Sequence, residues 1–256
     1  VRQFGTNNLP DCSNMCHESS GVALNESIGI GKGTVRLEDF DKADLIVIVG
    51  QNPGTNHPRM LSALKSAKKS GASVLSINPL KETGMRRFRH PQSPIDMLGA
   101  GTQISDDHVN IKINGDMALF RAIGSIILDK GSHDPDFINL NTTGFLDYAK
   151  IAQKIDWDLI EHLTGQDRGR INEISDYFCR SRRTIVCWAM GITQHKNSVN
   201  TIREIMNVLL LKGDIGREGS GPCPVRGHSN VQGDRTVGIT HAPDEFFIEK
   251  LSKEFE

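Results

Sequence analysis

The chain has 256 residues, 37% hydrophobic and 24% charged, and its 30 basic and 31 acidic side chains leave a net charge of −1. That composition supports a buried core and excludes a disordered polymer, and the balanced charge excludes an electrostatic case for nucleic acid or an anionic membrane surface. No apolar run approaches the roughly 20 residues of a spanning helix, and the longest is only 45–49. No signal peptide is legible, and the start at Val1 without Met reads as a piece excised from something longer.

The segments alternate between strand-like and helix-like patterns. Residues 44–50 are a short continuous apolar run ending in Gly50, the pattern of a strand in a parallel sheet covered on both faces. A helix follows over 58–70, with Met60, Leu61, Leu64 and Ala67 on one face, Pro58 in its first turn and Gly71 at its end. Residues 72–77 form a second strand, completing one βαβ unit. Residues 81–102 are rich in Pro, Gly and Arg without a clear period and read as a long functional loop with a short helical turn. A third strand is expected over 108–113, nearer an edge, and Asp116 can cap a helix over 117–130. Helical patterns then cover 145–155, 158–163 and 170–181, a fourth strand covers 184–190, and an apolar helix covers 199–211. Beyond Gly213 the clustered Gly and Pro residues predict an irregular segment, and a helix follows over 245–255. The expected architecture is a three-layer α/β/α, Rossmann-like, mainly parallel sheet over residues 1–227, with residues 228–256 as the truncated start of a neighbouring domain.

Ligands of such sheets bind beyond the carboxyl ends of the strands. Three strand ends qualify: residues 50–58, with two glycines, small polar side chains and a helix start; Asn78-Pro79, where a ribose-binding acid often sits; and residues 190–195. The alternative for the first is an ordinary βα loop with capping chemistry, the second carries an amide in place of the acid, and the third by itself reads as a plain turn. Residues 29–34 carry Gly-x-Gly-x-Gly but fail both the phosphate-loop and the dinucleotide spacing, and read as a glycine-rich connector.

The five cysteines include no Cys-x-x-Cys pair, which argues against a disulfide framework and for a reducing cytoplasm. Two Trp and two Tyr are too few for a base-stacking platform. Cys16 beside His17 suits a thiolate kept ionised by imidazolium or a metal, or else a buried Cys at a helix start. The cysteine spacing fits neither a structural zinc site nor an iron–sulfur cluster. Arg226, between a Gly-Pro-rich stretch and small polar residues, can clamp a carboxylate or phosphate with its planar fork, or be a surface loop residue.

Six segments, in order, carry a resemblance: Cys12-x3-Cys16-His17, Gly50-x-Asn52-Pro53-x3-His57-Pro58, Asn78-Pro79, Gly115-Asp116, Met190-Gly191-x-Thr193-Gln194, and Pro224-Val225-Arg226-Gly227-x2-Asn230-Val231-Gln232-Gly233. Together they resemble the molybdopterin-dependent oxidoreductases of the dimethyl-sulfoxide-reductase superfamily, in the formate-dehydrogenase-like branch, from about Leu9 to Gly238. The resemblance implies two-electron redox chemistry on a small substrate, formate or another small anion. The implied cofactor is molybdenum with bis(molybdopterin guanine dinucleotide). Cys16 falls on the metal ligand, His17 on a proton acceptor and Arg226 on the substrate clamp. Gly50, Asn52, His57 and Asn78 fall on a guanine-dinucleotide pterin loop and ribose contact, Asp116 on an acid that reads guanine, and Met190, Thr193 and Gln194 on a loop near the pterin.

The resemblance also implies a 4Fe-4S cluster upstream of this segment, an electron carrier of unspecified kind, no nucleic-acid or membrane partner, and a fragment that by itself holds no metal and does not turn over. Loops at 12–20 and 213–233 are then expected to be mobile. Two departures stand out. Asn78-Pro79-Leu80 replaces the usual Asp-Pro-Arg, and Glu18-Ser19-Ser20 replaces Gly-Pro-Ser, so that Glu18 adds a carboxylate near the metal position, which disfavours an anion unless a cation offsets it. The rival readings are a nicotinamide-dependent dehydrogenase, which lacks its fingerprint here, and a non-catalytic α/β scaffold.

Overall fold

The computed structural model describes Leu9 and residues 12–255, apart from the side chain of Ser13. Its centre is a parallel five-stranded sheet of β1 (Leu45–Val49), β2 (Ser73–Ile77), β3 (Asp107–Val109), β4 (Thr184–Trp188) and β5 (Gly221–Pro224), in the order β3-β2-β1-β4-β5. Every residue of β1 is buried because neighbours flank it on both edges and helices cover both faces. Leu45, Val47 and Val49 point into one apolar cluster with the helices Glu18–Ile28, Asp116–Asp129, Arg168–Arg180 and Ser198–Leu211. Ile46 and Ile48 point into a second cluster, with the helix Pro58–Lys69 and the 3-10 turn Leu37–Lys42. A fully buried side chain of this kind stabilises by about 1.5–3 kcal/mol, so the two clusters bind the three expected layers together.

The helix over Pro58–Lys69 buries Leu61, Leu64 and Ala67 as its spacing predicts. Arg121 reaches Glu204 through Nε at 2.9 Å and Nη2 at 2.7 Å and ties together the two longest helices of the first cluster.

Five expectations need correction. The third strand is residues 107–109, not 108–113, because Ile111 N–H turns back to the Val109 carbonyl and Lys112 N–H goes to Thr164 instead of a sheet neighbour. The stretch after Gly213 is not wholly irregular: Gly221–Pro224 is an edge strand, its prolines tolerated because one side of an edge needs no ladder donors. The 81–102 segment is not a plain loop but holds the short helices Thr83–Arg86 and Pro94–Leu98 and an antiparallel bridge between Phe88 and Thr102. Residues 13–20 are helical on either side of His17, so Cys16 ends one turn and Glu18 opens a helix. Finally, Gly115 is the N-cap of the Asp116–Asp129 helix, so Asp116 is its first helical residue and not its cap.

Candidate functional site: a crevice at the reversal of strand order

The strand order reverses between β1 and β4, where the chain returns across β1 after building β2 and β3. Their carboxyl ends meet as bare backbone: Gly191 N–H donates to the Gly50 carbonyl at 3.0 Å. A Cβ on Gly50 would lie 2.8 Å from the Gly191 carbonyl carbon, and Gly50 itself has φ +54°. Glycine is required at Gly50 for both reasons.

The first wall follows β1. Asn52 caps the turn Pro53–Asn56 by accepting from Thr55 N–H at 3.2 Å, and its Nδ2 donates to Glu82 at 2.7 Å. Glu82 also accepts from Asn78 Nδ2 at 3.4 Å, so this carboxylate, which sequence reading overlooked, joins the ends of β1 and β2. Gln51, also overlooked, is buried; its Nε2 lies 3.2 Å from His57 Nδ1 and 3.2 Å from Met60 Sδ. Burial keeps the His57 pKa below its ordinary value, opposed in part by the Arg226 backbone.

The second wall combines the segment around Cys16 with the end of β5. Cys16 and His17 are buried. His17 Nδ1 is 2.9 Å from Ser20 Oγ, which accepts Trp188 Nε1–H at 2.9 Å, so the imidazole is anchored to the floor of the sheet. Burial, then the Arg226 charge, push the His17 pKa down to about 4. The ring is therefore neutral at pH 7, and the imidazolium considered as a partner for a Cys16 thiolate is not present. Burial raises the Cys16 pKa, opposed by a hydrogen bond from the Gly227 backbone and by the charge of Arg226. The thiol thus holds its proton until something cationic displaces it. Arg226 is half-buried, with one terminal nitrogen on Gln232 Oε1.

The third wall follows β4. Met190 opens a short helix, Met190–Thr193, and is largely exposed. Thr193 is buried; Gln194 Nε2 donates to the Met15 carbonyl at 2.6 Å and so fastens this loop to the Cys16 segment. Asp116 is buried at the start of its helix, where burial raises its pKa to about 6 against its own backbone N–H and the charge of His195.

The structure thus brings Cys16, His17, His57 and Arg226 into one electrostatic group. Asn52 and Asn78 are joined through Glu82, while Asp116 stands apart from that group and feels His195 on the loop after β4. Of the residues to which sequence reading gave no role, Ser20 and Gln51 bond His17 and His57 locally, Glu82 joins Asn52 and Asn78, and Trp188 reaches Ser20 from the far strand.

Buried polar atoms are normally paired. Gln51 Oε1, Thr193 Oγ1 and Arg226 Nε are buried here without a hydrogen-bond partner among the described residues, as are side-chain atoms of Ser76, His108, His133, Tyr148 and Asp214 elsewhere in the fold. The first three stand on the loops that follow β1, β4 and β5, where a polar ligand of such a sheet is met. No three His, Cys, Asp or Glu side chains among the described residues converge on a metal position. Cys16, a buried thiol with the Arg226 charge beside it, fits a single thiolate ligand to a pterin-borne metal. Among the described residues no helix is long and apolar enough to cross a membrane.

Comparison with known proteins agrees with this geometry. The family model described as molybdopterin oxidoreductase matches residues 3–252, and the chain belongs to that family. It is similar to an oxidoreductase of Mycobacterium tuberculosis strain H37Rv, 51% identical over all of this chain and 34% of the relative. It is also similar to formate dehydrogenase H of Escherichia coli K12, 29% identical over 95% of this chain and 31% of that enzyme. Acetylene hydratase from Pelobacter acetylenicus shares the fold, with a TM-score of 0.68 at 19% identity over 86% of this chain and 27% of that one. The chain spans about a third of the length of the curated relatives it matches. None of these matches supports a nicotinamide-dependent dehydrogenase or a non-catalytic scaffold.

Proposed function

We propose that this chain is the cofactor-binding portion of a molybdenum enzyme that carries bis(molybdopterin guanine dinucleotide) and performs two-electron redox chemistry on a small anion, in the manner of a formate dehydrogenase. The observation that carries the reading is that Cys16, His17, His57 and Arg226 share one electrostatic environment, with buried unpartnered polar atoms of Gln51, Thr193 and Arg226 on the loops after β1, β4 and β5. The cofactor, when bound, supplies the two-electron acceptor or donor.

The chain's own residues divide the remaining work. Cys16 provides a thiolate ligand once its proton is displaced. Arg226 presents a half-buried, cationic fork with an unsatisfied Nε–H, suited to a carboxylate. His17 is neutral, the form that accepts a proton. Gly50, Asn52, His57 and Asn78 hold one guanine-dinucleotide pterin, with Gly50 letting backbone approach the ligand closely. Asp116 reads guanine by accepting from its N1–H and exocyclic amine, a charge-assisted pair that adenine lacks. Met190, Thr193 and Gln194 line the pterin. For formate the balance is loss of two electrons and one proton to give carbon dioxide, with His17 receiving the proton.

A 4Fe-4S cluster borne elsewhere in the whole protein, an electron carrier and a cytoplasmic setting belong to the same proposal. The test is metal and nucleotide analysis of the whole protein. Molybdenum accompanied by about two guanine nucleotides per metal supports the reading. Tight stoichiometric nicotinamide, or neither ligand, overturns it.

A further inference from the structure

A cavity of about 720 Å³ lies beside the edge strand β3, between the loop that follows β2 and the segment 103–108 that leads into β3. A volume of that order suits a small organic molecule. None of the residues assigned to the cofactor or the substrate lines it. Its cations are Lys81, Arg86 and Arg87, with Arg86 closing the short helix Thr83–Arg86 and Arg87 following as its C-cap. All three are exposed, and no hydrogen bond or ion pair engages their charged ends among the described residues. Its acids, Asp106 and Asp107, are both engaged already. Asp106 accepts from Lys68 Nζ through Oδ1 and from Val74 N–H through Oδ2 at 2.7 Å. Asp107 accepts from Arg170 Nη2 at 2.7 and 2.8 Å and from His108 N–H at 2.7 Å. Arg170 also reaches Glu173 through Nη1 at 3.0 Å, and neither Lys68 nor Arg170 lines the cavity. Glu82, next to Lys81 in the chain, lies outside the lining and accepts from Asn52 and Asn78. His108, a further lining residue, has Nε2 buried without a hydrogen-bond partner among the described residues. Burial, then the charge of Lys81, lowers its pKa against weaker opposition from Asp107 and Glu82, so the ring is neutral at pH 7.

We propose that this cavity is a binding site for a small organic phosphate, whose phosphate group is held by Arg86, Arg87 and Lys81. The argument is one of unmet donors. Each guanidinium presents its N–H groups in a planar fork that matches phosphate oxygens, and the ammonium adds three more donors. The two acids of the lining face other partners, so these cations are left for something from outside. A carboxylate monoanion meets one fork and leaves the other cations bare. A phosphate monoester, close to a dianion at pH 7, offers three terminal oxygens to three cations. The cavity is larger than a bare phosphate fills, and Thr83, Gln103 and the neutral His108 ring supply uncharged polar groups for an organic body. The site is separate from the Cys16 crevice, and the inference does not rest on the metal chemistry proposed there.

The test uses the whole protein as purified, titrated by calorimetry at about 0.15 M salt with inorganic pyrophosphate, adenosine 5′-monophosphate and neutral adenosine. Melting temperature is taken on the same samples. Pyrophosphate and the monophosphate should each bind at one site per chain and displace one another, and adenosine should not bind. Arg86→Gln and Arg87→Gln should each weaken both ligands by about threefold to tenfold, the effect of losing one charge-assisted contact in a half-exposed site. The double variant should abolish measurable binding at an unchanged melting temperature. Lys253→Gln removes an exposed cation on the distant helix Glu245–Glu254 and should leave both affinities as they are. No binding of either phosphate to the whole protein overturns the proposal. A loss in Lys253→Gln equal to that in Arg86→Gln also overturns it, because total charge is then the cause. Binding of either phosphate that survives the double variant places it elsewhere, and adenosine bound as tightly as its monophosphate shows that the phosphate is not recognised; each rejects the assignment.

Discussion

Asp116 offers a sharp test because the cofactor-free and loaded proteins should respond to one substitution in opposite directions. Burial raises its pKa from 3.8 to about 6. Below pH about 4 the carboxyl is protonated in both folded and unfolded states and costs nothing. Between about pH 4 and 6 the unfolded chain releases this proton while the folded protein keeps it, so stability falls as pH rises. Above about pH 6 both are ionised and the penalty is constant. At about 1.4 kcal/mol per tenfold change in proton affinity, it amounts to about 3 kcal/mol. Asp116→Asn keeps the shape and removes the charge. In the cofactor-free protein it should raise the unfolding free energy at pH 7.5 by up to about 3 kcal/mol and leave it unchanged near pH 3.5. Urea denaturation of both proteins across that range gives the difference directly, because other titrating groups are common to the two. In the loaded protein the two guanine donors compensate the carboxylate, so the same substitution should lower guanine-nucleotide content. A variant that is less stable than wild type at pH 7.5 would refute the reasoning and restore the cap that Gly115 holds here.

Cys16→Ala should abolish turnover and lower molybdenum retention in the whole protein, because Cys16 is the thiolate assigned to the metal; metal analysis alongside kinetics checks both. Arg226→Lys should raise KM for an anion at least tenfold, since an ammonium cannot reproduce a two-point fork, and steady-state kinetics on fully loaded enzyme decides it. His17→Gln should keep metal content and anion affinity while lowering kcat about 100-fold or more, as for a positioned proton acceptor; full activity at full occupancy would remove His17 from the mechanism. Gly50→Ala should destabilise the fold by about 2 kcal/mol or more, from the left-handed backbone and the contact with Gly191; a melting temperature equal to wild type would contradict the close approach.

Local chemistry made most of the elements legible. The run at Leu45–Val49 reads as a strand buried on both faces, and the spacing of Leu61, Leu64 and Ala67 as a helix with one covered side, and both formed. The order of short motifs marked Cys16, His17, Asn52, His57, Asp116 and Arg226 through a resemblance, with no distance implied. Strand five escaped because Gly221–Pro224 has no alternation and two prolines, and only pairing with β4 makes it a strand. The third strand was drawn too long because Ile111 and Ile113 extend its pattern, while the backbone is drawn off by Thr164, more than fifty residues away.

The site divides in the same way. Residue identity alone determined which groups are able to ligate, clamp or accept a proton, since a thiol, a guanidinium and an imidazole carry those capacities wherever they stand. Tertiary structure decided their states. Packing around His17 makes it neutral, burial keeps the proton on Cys16, and Trp188 reaches Ser20 across 168 positions of chain to fix the ring. Glu18 looked like an obstacle to an anion until the fold set Arg235, 217 residues later, against it. Dielectric environment and long-range pairing are properties of the packed chain, and sequence spacing carries no measure of either.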